Sequence, residues 1–441
     1  MTALPIAPLA WLALAILSLV QVGVAAAADE GGALELGPML GATSAQGTRI
    51  WVKASRAAES GVIVGERADL RDGWAIDGPK LTGASDHMAI VEVSGLRPST
   101  RYFYRVLIDG DAASPIYSFV TAPPEGASVR LRFATTSCVG LPEDAERSWA
   151  ELANVPIDLL LRLGDNVYAG STGPDVQRPI YYAHRRIPAH RTVVGQTPSL
   201  AIWDDWDYAG DNSDGAAPGK DSSLRTFRQL WPNPGFGQAS DPGVYFKYSW
   251  GDVEVFMLDG RYHRSSNEAP DDDRKTMLGP AQLAWLKGEL AASKATFKFL
   301  ASGGEWQSRG KIDSWRSFRR ERDELFRFIR DHRITGVVLL SGDRHVTAGY
   351  QVLGRFLEIT SGPFGAENHE PPYNPDEMFL LHDRGNFFVV FDVDTTGGEP
   401  SLTVEVHEVG RGLVRRRPFS WQEINGEVAV PTCDLLPECR D

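Results

Sequence analysis

Cysteine is scarce: the 441 residues hold three, with Cys433 and Cys439 close together near the C-terminus and Cys138 far upstream. That excludes a disulfide-dense scaffold and leaves Cys433 and Cys439 as a candidate bonded pair. Positive charge is short as well. Against 58 Asp and Glu stand 45 Lys and Arg, a net charge of -13, the wrong sign for a protein that holds nucleic acid by neutralising phosphates. Beyond the first 28 residues no apolar run is long enough to span a bilayer. There is no internal repeat, no low-complexity tract and no Gly-x-Ser-x-Gly elbow, so a serine hydrolase built on such an elbow is excluded.

What remains is the composition of a globular protein, 42% hydrophobic, 10% aromatic and 23% charged. At about 150 residues per domain, the length predicts two or three domains. The uncharged first 28 residues run through PLAWLALAILSLVQVGV into Ala25 to Ala28, the pattern of a secretory signal peptide. The expected location is therefore outside the cytoplasm, periplasmic or secreted, and membrane-anchored if the segment is retained. With it cleaved, no stable membrane association is expected.

From Asp29 to Thr121 short alternating runs, among them TRIWVKAS, HMAIVEVSG and STRYFYRVLIDG, lie between turn residues. Period-two alternation of this kind predicts a small all-β sandwich of the fibronectin III type over residues 29–122. Tyr102 is the candidate for a corner tyrosine tying its strand to the preceding turn, or else an ordinary half-buried strand residue. Ala122 to Gly126 reads as a linker. Over residues 128–441 short apolar runs (LRFATTSC, DLLLRLGD, VEVFMLDGR, GVVLLSGDRH) alternate with helical stretches, which predicts an α/β domain. Helices are expected at Pro280 to Ala291 and Ser317 to His332, and Asp207 to Gly243 reads as a loop system. The basic run Tyr182-Ala183-His184-Arg185-Arg186 is expected on the solvated face of a helix near the site entrance.

Four apolar runs end in carboxylates at Asp165, at Asp204, Asp205 and Asp207, at Asp259, and at Asp343 followed by His345, while Cys138 ends a fifth. Open α/β sheets place ligands at such edges. Converging anions cost several kcal/mol unless cations neutralise them, so a metal site is the economical explanation. Oxygen ligands suit hard cations such as Ca²⁺, Mg²⁺ or Mn²⁺, and thiolate, phenolate and imidazole suit iron or zinc.

The motifs GDNVY, WDDWD with the following DNSD, MLDGR, LGPAQLAWL and SGDRH occur in an order that resembles the alkaline phosphatase D family of metallophosphoesterases. The resemblance covers Leu131 to Asp394. It implies two mixed β-sheets flanked by helices, with Fe³⁺ and Ca²⁺ at the sheet edges and Mn²⁺, Mg²⁺ or Zn²⁺ as alternatives. Residue by residue, it implies that Asp165 bridges the metals, that Tyr168 and Cys138 ligate iron, and that Asp204, Asp205, Asp343 and His345 complete the metal ligands. Asn166 and Asp207 are weaker candidates behind them. Asp165, Asp205, Trp206, Arg344 and His345 form the expected catalytic set, and Arg344 or Arg261 offers a fork either to phosphate or to the neighbouring aspartates.

Trp206 is a departure, because the family's motif has His there to bind phosphate or protonate the leaving group. An indole carries one N–H donor and no titratable group; His190, His263, Asp207 or metal-bound water are substitutes to consider. The region around Ser302 to Trp306 also lacks the family's metal-facing His. The expected activity is an exported metal-dependent hydrolase of phosphate mono- or diesters, attacking phosphorus in line with a metal-held hydroxide. The alternative is a non-catalytic, calcium-stabilised surface binding module on a degenerate hydrolase scaffold.

Overall fold

The computed structural model describes residues 34–307, 311–368 and 377–431, all within one compact unit, Ala33–Asp441. The signal-peptide segment and the Cys433 and Cys439 pair lie outside the described residues.

The N-terminal part is two antiparallel sheets. Strands Leu34–Thr43, Gly47–Ala54 and Met88–Ser94 make one. Strands Trp74–Asp77, Ser60–Gly65 and Arg101–Ile108, with Asp111–Ala112 and Tyr117–Val120 both paired to Arg101–Ile108, make the other. Period-two alternation does the work: in Arg101–Ile108 every second residue, Tyr102, Tyr104, Val106 and Ile108, is buried, in a core shared with Ile50, Val52, Val62 and Val91. The Tyr102 hydroxyl accepts the Arg97 backbone N–H at 3.0 Å, the corner contact expected of it. The first sheet is buried on its far side too. Met39, Trp51 and Met88 join the main core of the chain, and the Trp51 indole donates to the Gln229 carbonyl at 2.9 Å.

Two mixed sheets follow. In the six-stranded sheet, Ser199–Ile202, Leu159–Leu163 and Arg130–Thr136 run parallel, and Phe387–Asp394, Ser401–Glu408 and Gly412–Phe419 continue it antiparallel. The seven-stranded sheet has a parallel centre, Val253–Met257, Phe297–Ala301, Val337–Ser341 and Phe356–Thr360, with antiparallel edges.

Continuous apolar strands supply both faces. Leu159, Leu161, Leu163, Val338 and Leu340 point into the core between the sheets. Leu160 packs outward on helices Pro142–Leu152 and Pro188–Gln196. Leu339 and Leu300 pack outward on helices Pro280–Ala292 and Arg319–Asp331. At roughly 1.5–3 kcal/mol per buried aliphatic side chain, this four-layer packing fixes where the strand ends come to lie.

Two expectations need correction. The segment from Asp207 to Gly243 is not all loop, since Lys220–Leu230 is a helix that buries Leu224, Phe227 and Leu230. The basic run is not a solvated face either: it falls at the end of helix Pro174–Arg185, with His184 and Arg185 buried. The Arg185 guanidinium lies 4.0 Å from the Trp51 ring centre, where its π face replaces part of the lost hydration.

Candidate metal centre

Every parallel strand that precedes a carboxylate motif ends at the same edge. Arg130–Thr136 delivers Cys138, Leu159–Leu163 delivers Asp165, Ser199–Ile202 delivers Asp205, and Val337–Ser341 delivers Asp343 and His345. Ligand atoms of Cys138, Asp165 and His345 lie within 4.8 Å of one another, and so do those of Asp165, Asp205 and Asp343. Asp165 belongs to both groups. The Tyr168 hydroxyl lies 2.8 Å from His345 Nε2, so six of the seven expected ligands share one locus.

The backbone is bent to achieve this. Cys138, Asp165, Asp343 and His345 all have φ between +48° and +67°, a region costly for residues with a Cβ. Four such residues at one site mark a built geometry. Glycines permit the close approach. A Cβ on Gly164, itself at φ +95°, would meet the Asp204 Cβ at 2.5 Å, and one on Gly342 would meet the Ser137 Cβ at 2.6 Å.

The seventh expected ligand, Asp204, falls in neither group, although its Oδ2 is likewise buried without a hydrogen-bond partner. Asp204 Oδ1 accepts from Arg261 Nε at 2.5 Å, and Asp204 caps the short helix Asp205–Tyr208 in a capping box with Asp207. Asp207 also takes the Asn166 amide at 2.5 Å, so Asn166 and Asp207 brace the loop behind the centre. Asp259 is a turn residue, accepting from Trp203 Nε1 and from the Arg261 and Tyr262 backbone.

Both arginines offered for phosphate meet carboxylates, Arg261 through Nε and Nη2 and Arg344 through Nε. Arg261 is fully buried between Asp204, Asp205 and Asp313, and Arg344 forms an ion pair with Glu305 at 3.0 Å. Neither substitute histidine suits an acid. His190 is buried edge-on against Trp149, and burial holds it far below its usual range. His263 meets the Pro242 carbonyl and Asp241. Trp206 lies beside the centre, its backbone N–H 3.4 Å from Asp165 Oδ1 and its ring 5.4 Å from that of Tyr168.

The electrostatics ask for cations. Burial, then the neighbouring Asp205 charge, raises Asp165 well above the carboxylate range. Burial raises the Cys138 thiol to about 12 and pushes Tyr168 up as well. Burial lifts Asp204 to about 8 even against Arg261. Asp205 Oδ1 and Asp343 Oδ2 are buried acceptors without a hydrogen-bond partner, an arrangement that costs several kcal/mol unless a positive ion faces it. The donors fit: thiol, phenol and imidazole suit a transition metal, and the all-carboxylate group suits a hard cation.

Three residues that the motifs did not mark also belong here. Lys311 Nζ lies 3.0 Å from Asp343 Oδ1, Asp313 is clamped by Arg261 and Arg264 at 2.6 Å each, and Glu305 holds Arg344. Glu305 follows the strand Phe297–Ala301 as the other acids follow theirs, a local signal of the same kind. Lys311 and Asp313 carried no sequence signal.

Two packed mixed sheets with a metal-ligand cluster at their shared edge define a phosphoesterase-like α/β protein. The PhoD-like phosphatase family model matches residues 133–378, over half of the chain, and the chain belongs to that family. Residues 31–125 match a domain of unknown function, DUF7800. Alkaline phosphatase D of Bacillus subtilis is 25% identical over 354 residues, 68% of this chain and 60% of that protein, so the chain spans about 60% of the length of this curated relative. A solved structure of PhoD superposes with a TM-score of 0.73 at 18% identity, covering 88% of this chain and 93% of that one. Purple acid phosphatase PPD1 from yellow lupin (Lupinus luteus) seeds gives 0.64 at 13% identity, covering 88% and 75%.

Proposed function

We propose that this protein is a metal-dependent phosphoric ester hydrolase, a phosphatase or phosphodiesterase. The observation that carries the reading is the pair of ligand groups joined at Asp165. Cys138, Tyr168 and His345 with Asp165 would hold Fe³⁺, and Asp165, Asp205 and Asp343 would hold Ca²⁺, with Mn²⁺, Mg²⁺ or Zn²⁺ as alternatives. Bound there, such ions supply an activated water near neutral pH and positive charge for the non-bridging phosphoryl oxygens.

The chain's own task is placement. Asp165 fixes the spacing of the two groups, and the Asn166, Asp207 and Arg261 contacts hold the loops that carry the ligands. Trp206 offers bulk and one N–H, so a departing alkoxide receives no proton from position 206. Good leaving groups are therefore favoured. We also assign residues 29–122 to a fibronectin III-like domain, residues 128–441 to the catalytic domain, and the first 28 residues to export. Among the described residues no helix is long and apolar enough to cross a membrane.

The test is to purify the full chain, count iron and calcium, and compare turnover of nitrophenyl phosphate and bis-nitrophenyl phosphate. Turnover that scales with metal content is expected. Inactivity on both substrates at full metal content would overturn the hydrolase reading in favour of the binding module.

A further inference from the structure

We propose that Lys311 is a substrate-facing residue whose ammonium binds a non-bridging oxygen of the phosphoryl group. This rests on the hydrolase reading above. Two described basic side chains pair with carboxylates of the three-aspartate group. Arg261 is fully buried and spends its donors on Asp204, Asp313 and the Ser213 carbonyl. Lys311 Nζ lies 3.0 Å from Asp343 Oδ1, while its side chain is 30% exposed. It therefore reaches from solvent to the edge of the centre. Asp343 keeps its other oxygen, Oδ2, buried and without a partner, so one carboxylate can meet Lys311 and an ion at once.

The position is held rather than incidental. The Lys311 carbonyl accepts the Ser314 hydroxyl at 2.5 Å, and two residues on, Asp313 is clamped by Arg261 and Arg264. Trp206, at the position where an imidazole was expected to bind phosphate, carries no charge, and Arg344, buried beside Glu305, is far less exposed than Lys311. Lys311 thus supplies a cation with three donors beside the phosphoryl site, where a charge-assisted hydrogen bond to a dianion is strongest.

Inorganic phosphate, the product, is the probe. Full-length wild type, Lys311→Ala and Lys311→Arg are loaded with metal, assayed for iron and calcium per chain, and titrated with phosphate by calorimetry. Lys311→Ala should keep the wild-type metal content and bind phosphate about tenfold more weakly, equivalent to about 1.4 kcal/mol. Lys311→Arg should recover most of the loss. Unchanged phosphate affinity in Lys311→Ala would overturn the proposal, and so would loss of metal, since Lys311 would then be only a prop for Asp343. If metal-loaded wild type neither binds phosphate nor turns over esters, the hydrolase reading itself fails.

Discussion

Trp206 is held at the centre by its backbone N–H on Asp165, so its side chain can be exchanged without moving the loop. Restoring a titratable donor with Trp206→His should raise turnover of an alkyl phosphate monoester by about tenfold or more, since a positioned acid contributes roughly 10²–10⁴. Nitrophenyl phosphate, which needs no proton to leave, should change little. Equal effects on both substrates would remove the role assigned to this position. Asp165 is the opposite case, because both ligand groups use it. Asp165→Asn should lower both metal contents and cut activity more than about 100-fold, beyond the 10–100-fold cost of losing an outer-shell partner. Full activity in that variant would place the chemistry elsewhere.

The turn from Gly342 to Val346 is the element on which the centre depends most, because it delivers Asp343 and His345, both in the left-handed region, on either side of Arg344. The Arg344 to Glu305 ion pair anchors it from below. Removing Glu305 leaves a buried guanidinium uncompensated, a loss of about 3–5 kcal/mol. Glu305→Ala should therefore melt several degrees lower and hold less metal, and an unchanged melting profile would show that the pair anchors nothing. Beneath it, Glu358 accepts the Trp306 N–H and the Ser341 hydroxyl, and burial next to Glu305 raises it from 4.5 to about 8. The folded state thus keeps a proton that the unfolded chain releases, so this stability is full below about 4.5 and lost as pH climbs toward 8. Glu358→Gln keeps the acceptor oxygen and should flatten the fall of melting temperature between those limits; a parallel fall in both proteins would refute it. These elements also show what sequence can carry. Strands ending in Asp165, Asp205 and Asp343 were legible because period and terminal acid are local signals. The helix Lys220–Leu230 was hidden because its three core contacts, Leu224, Phe227 and Leu230, are sparse among polar neighbours and flanked by Gly, Pro and Asp. The burial of Arg185 was hidden too, since it depends on Trp51 and Trp231 from distant strands and loops.

Over the whole molecule, the net charge of -13 repels a phosphate ester at long range, while ions bound at the centre would reverse the sign locally. Folding therefore gathers Asp165, Asp205 and Asp343 against their mutual repulsion, and ions able to offset it would bind only where the strand ends that carry them are assembled. Linkage then makes metal a folding ligand. An ion at 100 times its dissociation constant stabilises the native state by about 2.7 kcal/mol, and two ions by more. Exposed ion pairs such as Arg274 with Asp272 are worth little and respond to salt, not to chelator. Scanning calorimetry at fixed ionic strength separates the two. Chelation should lower the melting temperature by several degrees when both ions are lost, at about 1 °C per kcal/mol for a chain of this size. Adding back Fe³⁺ and Ca²⁺ together should restore it, and either ion alone should restore part. Identical melting with and without chelator, in protein shown to carry its metals beforehand, would mean that the acidic cluster is stable uncompensated, and the electrostatic case for the centre would fail.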